Sequence, residues 1–494
     1  MLLLAIDDHS LPFKRHLTYY LSKPDVRKEP VLTPSLDDPN APDHMAAFFY
    51  GTVLYDEGRF RMWHYAKNEE LPKPHESSMI CYAESNDGVQ WTKPNLGQKE
   101  FKGNCDNNAL NFPGRQTYGA SVIKDDEDPD PQRRYKMVYN PVQESGLVAD
   151  RFGHGVSTLG TATSPDGIHW SANSEWPIDV FAEQSSFYKY DGMYYVHGQG
   201  IFYGGGEGGS EHGRQGYVWV SKDFTEWVQG WAEAFTLPEP VDPSERGFEF
   251  SYDQVHLGVG AANFGNVQVG LVGLWHMADA GEITDLEGTT CDLALVVSND
   301  GIHFREPVKG HVYISHKDSQ ATPAQSREYP TILCQYNGIL SVGDETRIYH
   351  GRWRNAGHTD HLQLYKPSPD YYSEVALATL PRDRWGSLGL FPNQLEGWVW
   401  SAPITLKDHV QITLNADYPD LMRVELSEDR FGLLPEYSGQ NSGILKATGG
   451  LESTVVWPTQ DLSCLRNSRV RLRVNMKRGF GLEPRLYAIY LRDV

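Results

Sequence analysis

The sequence predicts an all-β chain, a five-bladed β-propeller followed by a C-terminal antiparallel β-sandwich. Three observations carry this. A short signature ending in Ser-x-Asp-Gly/Phe-x-x-aromatic recurs four times, a β-rich run precedes each copy, and beyond about Trp385 the pattern changes to alternating strands between Gly, Asn and Asp turns. No segment sustains a 3.6-residue period, so few helices are expected.

The four signatures are MICYAESNDGVQW (Met79 to Trp91), LGTATSPDGIHW (Leu159 to Trp170), GYVWVSKDFTEW (Gly216 to Trp227) and LALVVSNDGIHF (Leu293 to Phe304). Their serines, Ser85, Ser164, Ser221 and Ser298, fall roughly 60–80 residues apart, a period that suits one sheet of about four strands per repeat. Asn-Asp-Gly and Pro-Asp-Gly supply the positive-φ turn of a hairpin, which gives Asp87, Asp166, Asp223 and Asp300 a structural role. The aromatic that follows packs between neighbouring sheets.

A second strand precedes each signature: GRFRMWHYA from Gly58, RRYKMVY from Arg133, GMYYVHGQG from Gly192 and VQVGLVGLWH from Val267. A fifth, ETRIYHGRW from Glu345, leads to a degenerate copy, LQLYKPSPDYY from Leu362. That makes five blades over residues 1–384, with the catalytic funnel among them. VQITL, LMRVEL, VRLRVNM and RLYAIYL then build the sandwich over 385–494.

Composition narrows the function. The chain has 494 residues, 39% hydrophobic and 22% charged, which excludes a disordered or membrane chain. A net charge of −21 repels phosphate backbones and anionic lipid, so no nucleic-acid or membrane partner is expected, and a neutral substrate such as a carbohydrate stays open. Five scattered cysteines without a CxxC fit neither a disulfide framework nor a zinc site. The apolar opening Met1 to Ile6 runs into Asp7 and Asp8, too short for a signal peptide, and reads as a first strand. A cytoplasmic chain is expected, or an exported one already processed. The oligomeric state is open.

Signature hairpins in a propeller followed by a sandwich resemble glycoside hydrolase families 32 and 43. Ser221-Lys222-Asp223-Phe224-Thr225-Glu226-Trp227 is similar to their S-x-D-[LF]-x-x-W hairpin, and Leu377-Ala378-Thr379-Leu380-Pro381-Arg382 to the family 32 segment that closes the propeller. The resemblance implies a glycosidase or transglycosidase acting on a furanosyl unit such as fructosyl or arabinofuranosyl. It implies no required cofactor; several clan members hold a Ca²⁺ in the propeller channel, and this sequence assigns no metal ligands.

The family's catalytic motifs transfer unevenly. Phe49 stands where the W-x-N-D-P-N-G segment has its nucleophilic Asp, and the nearest carboxylate is Asp43. Tyr118-Gly119-Ala120 falls at the place of the R-D-P motif. Glu183, counted back from Asp191-Gly192, matches the acid/base Glu of E-C-P-D.

Glycoside hydrolysis needs two carboxylates across the scissile bond, about 5.5 Å apart for retention and about 6.5–9.5 Å for inversion. Glu183 is the expected general acid. Asp43, Asp253 beside His256, or Glu345 beside Asp344 supplies the second, although Asp344 and Glu345 also read as a hairpin turn. Phe49, Tyr118, Gln199, His256 and Glu328 are expected to line the site. His212 and Arg214 close the Gly-rich run from Gly204, which lacks the Lys and helix of a phosphate loop and reads as a lid. Three alternatives stay open: a sugar-binding propeller without catalysis, a sialidase-like enzyme, and a scaffold for protein partners.

Overall fold

The structure, a computed structural model, describes residues 1–68, 78–112, 116–142, 159–173, 182–200, 214–228, 232–237, 254–276, 288–354, 370–407, 410–445 and 449–493; residues 116, 118, 142, 182 and 200 are described by backbone alone. The fold is all-β. Among the described residues there is no α-helix, and no helix long and apolar enough to cross a membrane.

Five antiparallel sheets surround an axis. Blade one is built from Ala46–Asp56, Arg59–Lys67 and Ser78–Ser85, and blade two from Gln116–Lys124, Tyr135–Val142, Gly160–Ser164 and Ser171–Ala172. Ala182–Tyr190, Met193–Gly200, Gly216–Ser221 and Ala232–Phe235 form blade three; Gln254–Asn263, Gln268–His276, Thr290–Ser298 and Val312–Ile314 form blade four. In blade five the inner strand is split into Thr331–Cys334 and Ile339–Val342, followed by Glu345–Arg354 and Tyr372–Pro381, with Asp25–Val26 as the outer strand.

Hydrogen bonds between successive inner strands close the ring. Thr52 Oγ1 donates to the Ala120 carbonyl (2.8 Å), Ser121 Oγ to Gln184 Oε1 (2.6 Å) and Ser186 Oγ to the Val259 carbonyl (2.7 Å). Gln335 Nε2 donates to the Gly258 carbonyl (2.7 Å), and the Val53 amide to the Asn337 carbonyl (3.0 Å). Every seam of a five-membered ring is therefore bonded.

The repeated turns are the mortises between blades. In blade two the Ser164 hydroxyl accepts from the Gly167 amide (2.8 Å), and Asp166 accepts from the Ile168 and His169 amides. Gly88, Gly167 and Gly301 have φ near +75°, and Phe224 fills the same left-handed position at +66°. Each turn docks on the preceding blade: Trp63 Nε1 donates to the Gly167 carbonyl (2.8 Å), Tyr188 to that of Gly301 (2.7 Å) and Tyr349 to that of Gly88 (2.7 Å). Ser164 is fully buried, so Ser164→Ala leaves two amides without their acceptor. A loss of about 1–3 kcal/mol is expected, read as a lowered thermal midpoint; an unchanged midpoint would show that the turn contributes nothing to the seam.

The sandwich consists of two sheets around a core that includes Leu388, Val399, Leu414, Val424, Leu472, Val474 and Leu486. It also takes in the start of the chain. Leu2–Leu4 pairs with Arg485–Asp493, Phe13–Arg15 with Glu396–Trp400 and Leu17–Leu21 with Gly386–Leu390. The expected division at 384/385 therefore needs correcting: residues 1–21 contribute three strands to the second unit before Asp25–Val26 completes the propeller. Local alternation cannot report this, because the pairing partner of Leu3 is Ile489. Leu2, Leu4, Ile6 and Trp385 pack with Val269, Leu295 and Tyr313 in one shared core, so the two units are joined by apolar burial.

Candidate functional site

All five inner strands are irregular at the same level. The register shifts between Phe48 and Thr52, Tyr118 and Ala120, Gln184 and Ser186, and His256 and Val259, and the blade-five strand breaks between Cys334 and Ile339. Such bulges re-aim side chains, here toward the end of the ring where the inner strands begin and the second strands finish.

Glu183 sits at that end, half-buried, on the strand Ala182–Tyr190. Its cross-strand partner is Gln199, whose Nε2 donates to Glu183 Oε2. Gln199 Oε1 in turn accepts from the Leu257 amide in the blade-four bulge (2.6 Å). Two glycines permit this approach: a Cβ on Gly258 would lie 2.4 Å from the Gly198 carbonyl oxygen, and one on Gly198 would lie 2.3 Å from that of Glu183. Burial pushes the Glu183 carboxyl above its ordinary range, while the Arg214 charge and the Gln199 hydrogen bond pull the other way.

The surrounding groups are aromatic rings with two cations, Arg214 and Lys67, set over them. Arg214 lies over the Trp275 ring (5.4 Å), which meets the His256 ring at 4.7 Å. Burial, then the Arg214 charge, push His256 down to about 3, so its imidazole is uncharged at neutral pH. Tyr50 stacks on Tyr336 (5.2 Å), hydrogen-bonds Cys334 and lies within electrostatic reach of Glu183. From Tyr50 a ring cluster continues through buried Phe48 to the partly exposed Tyr65, Trp353 and Tyr371, where Lys67 lies 4.6 Å above the Tyr371 ring. Flat apolar faces beside polar groups suit the hydroxyl-rich rings of sugars.

The sequence thus brings Glu183, Gln199, Arg214 and His256 together. Other expectations are corrected. Asp43 is 1% exposed and ion-paired with Lys93 Nζ at 2.5 Å; the same Nζ donates to the Thr33 carbonyl and Ser35 Oγ. It anchors a loop on blade one instead of facing Glu183. Phe49 is fully buried between blades one and five against Tyr349 and Gly338, a core position that touches no substrate. Glu345 and Asp344 are exposed in a hairpin turn at the opposite end of the blade-five inner strand, and Glu345 is ion-paired with Arg347 (3.2 Å). That end of the ring is remote from Glu183.

Glu328 is exposed just before Thr331–Cys334. Asp253 and His212 lie outside the described residues, and of Tyr118 only the backbone is described. The degenerate fifth signature also falls largely outside them. Gly119, φ +64°, occupies the place of the R-D-P motif, and a Cβ there would lie 2.5 Å from Gln184 Nε2. A carboxylate has no room.

At the axis, Asn337 Nδ2 donates to the Phe187 carbonyl (2.9 Å), Gln335 Nε2 to those of His256 and Gly258, and Ser185 Oγ to that of Val259. Among the described residues no group of three or more His, Cys, Asp or Glu is arranged to hold a metal.

Tyr50, Tyr336, Cys334 and Trp275 were missed in the sequence. Trp275 had a signal: it is the penultimate residue of the second strand of blade four, as Gln199 is of that of blade three.

No family model matches this chain, and no curated protein matches it. Solved structures do match. A glycosyl hydrolase from Bacteroides ovatus is 15% identical, covering 74% of this chain and 95% of its own, with a TM-score of 0.44. A structure described under the GH130 family of mannoside phosphorylases, with glycoside hydrolases that target β-1,2 mannosidic linkages in Candida mannan, is 14% identical over 74% of this chain and 95% of its own, TM-score 0.46. An N-acetylgalactosamine deacetylase from F. plautii, in complex with blood group B trisaccharide, is 13% identical over 74% and 96%, TM-score 0.46. No activity or site is transferred from them.

Proposed function

We propose that this chain is a carbohydrate-active enzyme, a glycoside hydrolase or transglycosidase whose general acid is Glu183. The observation that carries the reading is a carboxyl raised by burial at the mouth of a propeller, hydrogen-bonded by Gln199 and flanked by an aromatic surface. A carboxyl whose protonated form is favoured by burial is suited to protonating a glycosidic oxygen as the bond breaks. Glu183 gives its proton to the leaving oxygen, positive charge spreads over the ring oxygen and anomeric carbon, and water or a carboxylate attacks from the opposite face. Asp253, one residue before the blade-four inner strand, takes the second carboxylate role. Furanosides, as the sequence resemblance suggests, are the first substrates to test.

One observation favours a second reading, sugar binding without cleavage. Asp43 is tied to Lys93, and among the described residues no other carboxylate acts on Glu183. A screen of purified protein against fructans, arabinans and aryl furanosides and pyranosides separates the two. Release of a single sugar supports the enzyme. A raised melting temperature with one glycan, without product, supports the binding module and rejects catalysis.

A further inference from the structure

Gln199 is placed to do more than fill space. Its amide orientation is fixed at both ends: the Leu257 amide can only donate, so the atom it meets at 2.6 Å is Gln199 Oε1, and Nε2 must face the carboxyl. The Leu257 amide is itself aimed by a bulge in which Leu257 and Gly258 take φ of +62° and +78°. A left-handed leucine is costly, and it persists here because the Gly198–Gly258 contact and the Gln335 hydrogen bonds to the His256 and Gly258 carbonyls hold the segment on both sides.

Resting on the reading of Glu183 as general acid, we propose that Gln199 is a positioning residue: clamped by the Leu257 amide, it donates to Glu183 Oε2 and thereby biases the acidic proton toward Oε1. An amide NH₂ pointed at Oε2 favours the carbonyl form of that oxygen, the stronger acceptor, and so biases the proton toward Oε1. The catalytic proton therefore has a preferred address and the carboxyl a preferred orientation. The same donor stabilises the carboxylate, which eases loss of the proton and offsets part of the rise that burial causes. The other titratable groups of the described elements that face Glu183 are Arg214, whose charge acts in the same direction as Gln199, and Tyr50 and Cys334, which burial pushes up and keeps neutral. His256, beyond Trp275, is also neutral. Gln199 is then the neutral donor on which the Glu183 proton depends.

The test is an infrared carboxyl titration of the full chain, with Glu183→Gln as the reference that identifies the Glu183 band. In Gln199→Leu the Glu183 midpoint should rise by about one to two units, the effect of losing one hydrogen bond to a charged group. Because Gln199→Leu also strips the Leu257 amide of its acceptor, Gln199→Glu is run beside it. That variant keeps the acceptor and replaces the donor with a second carboxyl, so the upper of the two coupled steps should lie above the wild-type midpoint. Where a substrate is found, the alkaline limb of kcat/KM moves upward with the midpoint. A Glu183 midpoint unmoved in both folded variants overturns the proposal. A midpoint that moves in a protein that cleaves no sugar upholds the role of Gln199 and rejects the enzymatic reading.

Discussion

Glu183→Gln is expected to lower kcat by about a thousand-fold while leaving the fold intact, the usual cost of removing a general acid from a glycosidic cleavage. The amide keeps the size of the carboxyl and its acceptor toward Gln199 Nε2 but carries no transferable proton. The pH profile follows from the direction of the shift. Burial raises the Glu183 carboxyl, so its acidic form persists above the ordinary carboxylate range, and activity falls on the alkaline side as that proton is lost. Stability has the same sign. A carboxyl whose folded pKa lies above its unfolded value favours the native state at low pH, and the contribution is lost as pH rises through the folded pKa. Glu183→Gln should therefore match or exceed the wild-type melting temperature at neutral pH, because no ionised carboxylate remains to be buried. Full turnover in the variant, at every pH, would remove Glu183 from the chemistry.

Arg352→Met is expected to destabilise the chain by about 3–5 kcal/mol and to loosen the closing seam of the propeller. Arg352 is 2% exposed and holds three elements at once. Its Nη1 donates to the Lys28 carbonyl (2.8 Å), Nη2 to that of Arg27 (2.6 Å) and Nε to Ser319 Oγ (2.8 Å), while Glu374 lies 3.7 Å away in an ion pair. The Met variant leaves Glu374 buried beside Thr322 and Tyr372 without its cation, and two carbonyls of the closing segment without a donor. The seam is also read by the Arg27 amide, bonded to the Leu377 carbonyl (2.9 Å), and the Val31 amide, bonded to that of Val375 (2.8 Å). Hydrogen exchange at these two amides should accelerate together with a fall in melting temperature. Unchanged exchange would show that sheet pairing alone closes the ring.

Legibility in the sequence tracks distance along the chain. The four Ser-x-Asp turns were readable because every bond that makes them lies within a few residues, as with Asp87, whose carboxyl is held below its usual range by the Gln90 and Val89 amides. The position of Glu183 was readable by counting back from Asp191-Gly192, and Gln199 faces it across that one hairpin. Asp43 was misread because its partner, Lys93, arrives from beyond three strands and a signature turn. Phe49 was misread because its surroundings, Tyr349 and Gly338, belong to the fifth blade. Glu345 failed differently: the turn was visible, but the end of the ring on which it lies was not.

The sequence by itself determined the number of blades, the structural turns that lock them together and the change to a sandwich. These follow from strand periodicity and turn chemistry, which act over a few residues. Only the tertiary structure decided that residues 1–21 join the sandwich, that the ring closes through Asp25–Val26 and Arg352, and that Asp43 is ion-paired with Lys93 while burial raises Glu183. Each of these depends on the burial of a group or on a partner far away in sequence. A carboxylate's state is set by the dielectric and the charges that folding brings to it, and neither is written in its neighbours along the chain.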